Sequence, residues 1–228
     1  MKLSIIVPVY NERNTVQELL RRVRAVDLGE IAKEIIIVDD GSTDGTGDIL
    51  RLEEDSSTKV LRREKNRGKG AAVRAALSHA TGDYVIIQDA DLEYDPEDYR
   101  AMLAPVMKRK ADVVYGSRFT GGHRDMLYWH WVGNKFLSFM TNVLYNTTLS
   151  DMETCYKLFS RESLEGIEIQ SDRFEFEPEI TAKILKKKVR IYEVPVSYAG
   201  REYEEGKKIV WMDGFKALWA LLKYRFFD

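Results

Sequence analysis

The chain has 228 residues, 44% of them hydrophobic and 32% charged, and a net charge of −2. This composition excludes a disordered chain, and the slight acidity speaks against a nucleic-acid binder, which would carry a basic excess. A lone cysteine, Cys155, excludes an internal disulfide and makes a reducing compartment the default.

The start of the chain lacks the long apolar core and small-residue cleavage site of a secretory signal. A spanning helix needs about 18 apolar residues. The best stretch, 126–149, is interrupted by His130, Asn134, Ser138, Asn142 and Asn146. The expectation is a protein at the cytoplasmic face of the membrane that does not cross it.

In chain order, the β-branched run 3–9 predicts a buried strand. Residues 14–26 have helical spacing, with Val16, Leu19, Leu20 and Val23 on one face. A second strand, 34–38, ends in the turn cluster Asp39-Asp40-Gly41-Ser42-Thr43-Asp44-Gly45. A helix at 46–54, a strand at 59–62 and an Ala-rich helix at 70–80 follow. The strand 84–88 runs into Asp89-Ala90-Asp91, and a helix starts near Pro96. Strand 113–115, helix 129–145, strand 156–159, helix 177–187, strand 190–194 and helix 209–227 complete the chain. The alternation predicts an α/β fold: a Rossmann-like, mostly parallel sheet flanked by helices, with an amphipathic C-terminal helix. The expected organisation is one domain, 1–208, and a C-terminal helix, 209–228, that either packs or lies at an interface.

In open α/β sheets ligands bind beyond the carboxyl ends of the strands. Three polar clusters fall at such ends: Tyr10-Asn11-Glu12, Asp39-Asp40-Gly41-Ser42 and Asp89-Ala90-Asp91. One alone reads as a solvated turn; three read as a shared site. The familiar phosphate loops are absent, and Gly68-Lys69-Gly70 fits neither the nucleotide loop nor the dinucleotide fingerprint. Asp39 and Asp40 can accept hydrogen bonds from a base N–H. Asp89 and Asp91 can hold a hard divalent cation through oxygen, and such a cation offsets the charge of a departing diphosphate.

Together, Val7-Pro8-Val9-Tyr10-Asn11-Glu12, Val38-Asp39-Asp40-Gly41-Ser42-Thr43-Asp44-Gly45-Thr46, Asp89-Ala90-Asp91-Leu92 and Gly116-Ser117-Arg118 resemble the inverting family 2 glycosyltransferases of GT-A fold. Within that family the likeness is to the polyprenyl-phosphate sugar synthases, including dolichyl-phosphate mannose and glucose synthases. The resemblance implies donor-nucleotide roles for Pro8, Tyr10, Glu12 and Asp40, and metal and diphosphate roles for Asp89, Asp91 and Glu93, with Mg²⁺ or Mn²⁺ as cofactor. Glu93 replaces the glutamine of some mannosyl members. Arg118 and Ser138 match acceptor-side positions. Arg201 with Lys207 or Lys208 matches a basic segment over the donor. Asn134 stands where mannosyl members carry arginine, and Lys135 beside it can supply that charge to the acceptor.

The donor expected from the resemblance is GDP-mannose or UDP-glucose, since the motifs divide evenly between the two branches. A phosphate acceptor is already largely dianionic at neutral pH and needs positive groups such as Arg118 and Lys135 rather than a base. A hydroxyl acceptor needs a base, and Asp151 is the candidate, set against its plainer reading as a turn or cap. In the last helix Phe215, Leu218, Trp219, Leu222 and Phe226 share one face, with Lys216, Lys223 and Arg225 beside it. That pattern suits peripheral membrane contact as well as core packing.

Overall fold

The computed structural model describes residues 1–201 and 211–227. Lys207 and Lys208 lie outside the described residues. Seven strands form one sheet: β1 Lys2–Val9, β2 Ala32–Asp39, β3 Thr58–Arg62, β4 Tyr84–Ile87, β5 Val113–Ser117, β6 Lys157–Ser160 and β7 Ile191–Pro195. Their order is β3-β2-β1-β4-β6-β5-β7. β6 runs antiparallel to both neighbours, so the other six share one direction.

Among the described residues eight α-helices accompany them: α1 Val16–Ala25, α2 Thr46–Leu50, α3 Lys69–Leu77, α4 Tyr99–Met107, α5 Tyr128–Tyr145, α6 Arg161–Leu164, α7 Phe176–Lys186 and α8 Trp211–Phe226. The central strands are apolar on both faces because helices cover both: Leu3, Ile5, Ile6 and Val7 of β1 are fully buried, as are Val16, Leu19, Leu20 and Val23 of α1. Each such side chain contributes about 1.5–3 kcal/mol of burial.

α2 is shorter than the helix expected at 46–54. Asp55 takes the following backbone into a turn instead, its carboxylate accepting from the N–H groups of Ser57 and Thr58 at 2.7 and 2.8 Å. α6 was not legible at all. It is one turn, started by the Ser160 hydroxyl accepting from the Ser163 N–H.

The C-terminal helix packs on α5 and α7 through small residues and one ring. Ala217 and Leu221 join Leu137 and Met152, while Ala220 and Tyr224 join Ala182. The Tyr145 hydroxyl donates to the Leu221 carbonyl at 2.7 Å. The face expected to be apolar points the other way: Phe215, Trp219 and Phe226 are exposed. α5 does the same, with Tyr128, Trp129, Trp131, Phe136 and Phe139 exposed. Among the described residues no helix is long and apolar enough to cross a membrane.

Candidate active site

The strand order reverses between β1 and β4. The chain runs outward through β2 and β3 and then returns to the other side of β1. Such a reversal leaves a crevice beyond the carboxyl ends of the two strands. β1 pairs with β4 only as far as Ile6↔Ile87, so Pro8 sits where the strands have parted and its missing N–H costs no ladder bond on that side.

Everything at the crevice hangs from strand ends. The loop after β1 is tied to the loop after β2: Asn11 N–H donates to the Ser42 hydroxyl, Glu12 N–H to the Thr46 hydroxyl, and Thr43 N–H to Asn11 Oδ1, at 3.0, 3.0 and 2.9 Å. Asn11 takes a left-handed backbone, φ 53°, which asparagine tolerates. Tyr10 follows the end of β1, partly exposed beside this loop.

Asp39 and Asp40 close β2 and are both buried. Asp39 Oδ1 accepts from Ser42 N–H at 2.9 Å, while Oδ2 is buried without a hydrogen-bond partner. Asp40 Oδ2 accepts from Arg67 and Gly68 N–H at 3.0 and 2.6 Å, and its Oδ1 makes no hydrogen bond but lies 3.2 Å from Arg63 Nη1 in an ion pair. Gly68 is required there: its φ is 105°, and a Cβ would lie 2.5 Å from the Asp172 carbonyl. Asp39 Oδ2 faces Arg62 Nε at 3.7 Å, so both oxygens have an arginine nearby, and their unmade hydrogen bonds suit a ligand that donates N–H or O–H groups.

Beyond β4, Asp89, Asp91 and Glu93 project from a loop in which Leu92 takes φ 63°, an unfavourable backbone for leucine of the kind that gathers at functional sites. The three carboxylates do not share one centre. Asp89 is held by Lys69, 2.8 Å away, and Lys69 also reaches Glu177 at 2.9 Å. Glu177 in turn pairs with the buried Lys157, completing a chain of four alternating charges. Burial opposes ionisation of Asp89, but Lys69 outweighs it and lowers its pKa.

Asp91 has the opposite balance. Burial, then Asp89 and Glu93, push its carboxyl up to about 7, with Arg201 pulling back. Arg201 lies among Glu12, Asp91 and Glu93, with Nη2 3.1 Å from Glu12, Nη2 3.2 Å from Asp91 and Nε 3.8 Å from Glu93. Glu93 also accepts from the Tyr198 hydroxyl and from Arg201 N–H, each at 2.8 Å.

The structure thus groups Glu12, Asp91 and Glu93 around Arg201, beside a cavity of about 490 Å³ that Asn11, Glu12, Asp44, Asp91, Arg124 and Arg201 help to line. Among the described residues no three carboxylate, imidazole or thiol groups converge closely enough to cage an ion. A hard divalent ion does not need such a cage, because Mg²⁺ is commonly held by one or two carboxylates plus substrate phosphates. Asp91, which shares Arg201 with Glu12 and Glu93 and has Asp89 or Glu93 beside it, fits that mode.

The residues expected to face the acceptor lie beyond β5. Arg118 is buried in a bidentate pair with Asp151, Nε to Oδ2 and Nη2 to Oδ1 both at 2.7 Å, and its own N–H donates to Oδ2 at 3.0 Å. Asn134 Oδ1 accepts from Nη2 at 3.3 Å. The Tyr198 ring lies 5.3 Å from the guanidinium. Asp151 is therefore neither a turn residue nor a cap but the fixed counterion of Arg118. Lys135 Nζ sits 3.9 Å over the Phe119 ring, facing the same region. Ser138 is buried, its hydroxyl accepting from Met152 N–H at 3.0 Å, which makes it a structural link between α5 and the Asp151 loop.

Lys69, Glu177 and Tyr198 were missed in the sequence. Lys69 had a signal: it opens the apolar run Gly70-Ala71-Ala72-Val73, so a lysine there starts a buried helix end. Glu177 looked like an ordinary acidic residue in a first helical turn, and nothing local marks it as buried.

The family 2 glycosyl transferase model matches residues 4–167. The chain belongs to glycosyl transferase family 2. It is 28% identical to an uncharacterised protein of Methanocaldococcus jannaschii, over 99% of this chain and 93% of that protein. It is 31% identical to the low-salt glycan biosynthesis hexosyltransferase Agl6 of Haloferax volcanii, over 89% of this chain but only 49% of the relative. It is 32% identical to an undecaprenyl-phosphate 4-deoxy-4-formamido-L-arabinose transferase of Salmonella paratyphi A, over 90% of this chain and 62% of the relative. The transferase therefore spans half to two thirds of those two relatives. Among solved structures, glucosyl-3-phosphoglycerate synthase of Mycobacterium tuberculosis, in complex with Mn²⁺, UDP and phosphoglyceric acid, superposes with a TM-score of 0.76 at 18% identity, covering 100% of this chain and 79% of that one. The same protein was also solved with Mg²⁺ and UDP, with a TM-score of 0.73. The transferase has the GT-A form expected from its sequence.

Proposed function

We propose that this family member transfers a hexose, mannose or glucose, from GDP-mannose or UDP-glucose to a polyprenyl phosphate, with inversion and with Mg²⁺ or Mn²⁺. The observation that carries the acceptor is the Arg118–Asp151 pair. Asp151 is fully buried and both its oxygens accept from Arg118, so it is not free to take a proton. Arg118 Nη1 donates to no described residue, and Lys135 faces the same region. A dianionic phosphate suits these cations and needs no base. The undecaprenyl-phosphate specificity in the name of the Salmonella relative supports the same class.

The Asp39 and Asp40 oxygens that make no hydrogen bond would hold the nucleotide, beside Pro8, Tyr10 and Glu12. Asp91, with Asp89 or Glu93, would hold the divalent ion. The Mn²⁺ and Mg²⁺ complexes of the Mycobacterium protein support that cofactor. Bound there, it would neutralise charge on the departing diphosphate. Lys69 fixes Asp89 in place, and Arg201 supplies a second positive charge at the diphosphate. The acceptor oxygen, held by Arg118, attacks the face of the anomeric carbon opposite the leaving group. The bond to the nucleoside diphosphate breaks as the new C–O bond forms, and no proton moves.

The exposed aromatic faces of α5 and α8 lie outside the core, and Lys216 and Arg225 on α8 are exposed beside them. Apolar rings flanked by cations suit the headgroup region of an anionic bilayer. We read 1–208 as the catalytic unit and 209–228 as a helix that helps it rest on the cytoplasmic face.

A second reading, a hydroxyl acceptor, draws on Glu153 rather than Asp151. Glu153 Oε1 is buried without a partner, and burial first, then Glu177 and Asp151, raise its carboxyl to about 7. The deciding experiment supplies GDP-mannose or UDP-glucose, Mg²⁺ and either a polyprenyl phosphate or the matching polyprenol. A hexosyl phosphate lipid, found by mass, is the expected product. Transfer to the alcohol, with none to the phosphate, overturns the reading.

A further inference from the structure

Two arginines at the site keep opposite kinds of company. Arg118 holds one carboxylate through two parallel contacts of 2.7 Å, the short range of charge-assisted bonds. Arg201 has three carboxylates and no contact that good. Its Nη1 lies 3.3 Å and its Nη2 3.1 Å from Glu12, its Nη2 lies 3.2 Å from Asp91, and its Nε lies 3.8 Å from Glu93. That Nε is buried and has no hydrogen-bond partner. The guanidinium sits where charge demands a cation, but its fork meets Glu12 only through two long contacts, and reaches Asp91 and Glu93 through one long contact each.

Its backbone is fixed independently. Arg201 N–H donates to Glu93 Oε1 at 2.8 Å, and Ala199 N–H donates to the Glu93 carbonyl at 2.8 Å. The side chain can therefore leave the carboxylates by rotation while its Cα stays in place. It lines the same cavity as Glu12 and Asp91, so a diphosphate entering there meets it directly.

We infer that Arg201 is a tethered competitor for the divalent cation: in the free protein its guanidinium neutralises Glu12, Asp91 and Glu93, and a diphosphate must draw it away before the metal binds tightly. This rests on the metal-assisted reading above. Two cations cannot share carboxylates this closely spaced without repulsion, since unit charges at about 4 Å interact by several kcal/mol at a protein surface. The diphosphate resolves the conflict. It offers the guanidinium a better-matched, bidentate partner and offers the metal further oxygen ligands. Metal and nucleotide then bind as a pair, and by linkage each strengthens the other by the same factor.

The test is Mn²⁺ binding to the full chain, read from loss of the free-ion paramagnetic resonance signal, with no sugar donor present. Wild type, Arg201→Gln, Arg201→Ala and Arg201→Lys are compared, each first checked for an unchanged thermal transition. Without nucleotide, Arg201→Gln and Arg201→Ala are expected to bind Mn²⁺ at least about tenfold more tightly than wild type, and Arg201→Lys, which keeps the charge, close to wild type. With GDP or UDP added, wild type should gain more affinity than either neutral variant. If the neutral variants bind Mn²⁺ no better than wild type without nucleotide, while wild type binds it with nucleotide, the competitor role is overturned and the metal-assisted reading stands. If no protein binds Mn²⁺ even with GDP or UDP, the metal-assisted reading falls, and this inference with it.

Discussion

Arg118 and Glu153 lie on one side of the crevice and answer different questions about the reaction. Arg118→Ala removes the cation proposed to face the acceptor and leaves Asp151 as a buried, unpaired charge. Loss of one partner of a buried pair costs about 3–5 kcal/mol. The variant should be less stable by about that amount, so Arg118→Lys is the cleaner probe. It keeps the charge but loses the fork, and its KM for polyprenyl phosphate should rise at least about tenfold with donor affinity unchanged by calorimetry. Equal loss of both would assign Arg118 to the donor.

Glu153 makes a prediction in pH. Its folded pKa, about 7, lies above the 4.5 of an ordinary glutamate, so between those values the native state holds a proton that the unfolded chain has lost. The contribution is therefore present below pH ~4.5 and lost as pH rises through ~7. Glu153→Gln should stabilise the protein at pH 8, by about 3 kcal/mol at most, and change little at pH 5. Melting curves at the two pH values check this. The same variant should keep transfer to polyprenyl phosphate, whereas a hydroxyl acceptor would make it inactive. None of this was legible from residues 151–154, because the Arg118–Asp151 pairing joins positions 33 apart and the charges that act on Glu153 include Glu177, 24 residues on.

At the scale of elements, the sequence disclosed most where period and turn chemistry agree. β1, β2 and β4 are apolar runs that stop at acidic clusters, and the structure stops them there, with Asp39 closing β2 and Asp89 following β4. The direction of β6 was hidden, because a four-residue strand carries no mark of which way its neighbours run. α8 was legible in type and ambiguous in use. Its sequence offered the face of Phe215, Leu218, Trp219, Leu222 and Phe226 equally for a membrane surface or for core packing, and the core takes Ala217, Ala220, Leu221 and Tyr224. Small residues let α8 approach α5 and α7 closely, which leaves the large rings outside. Leu221→Ala should therefore destabilise the protein by about 2–4 kcal/mol, as for other buried leucines, measured by urea denaturation. Trp219→Ala, on the exposed face, should change stability by less than about 0.5 kcal/mol.

At the scale of the whole molecule, the site and the aromatic surface share an element. Residue by residue, α5 turns Asn134, Lys135 and Ser138 towards the Arg118–Asp151 side and leaves Trp129, Phe136 and Phe139 in the open. One helix thus connects the site proposed for the acceptor with the surface proposed to meet the bilayer, and a lipid phosphate held at Arg118 would keep its chain on the exposed side. This arrangement predicts a split that neither the fold nor the site alone would give. Trp129→Ser, Phe139→Ser and Trp219→Ser together should weaken sedimentation with anionic liposomes at least about tenfold, since each ring contributes apolar burial at the interface. Transfer to a polyprenyl phosphate embedded in those liposomes should fall with it. Transfer to a short-chain, water-soluble polyprenyl phosphate should keep its wild-type kcat and KM, because Arg118, Lys135, Asp91 and Arg201 are untouched. If both acceptors lose activity equally, the rings support the site rather than a membrane. If liposome binding persists in the triple variant, the exposed rings of α5 and α8 are not what holds the protein to lipid.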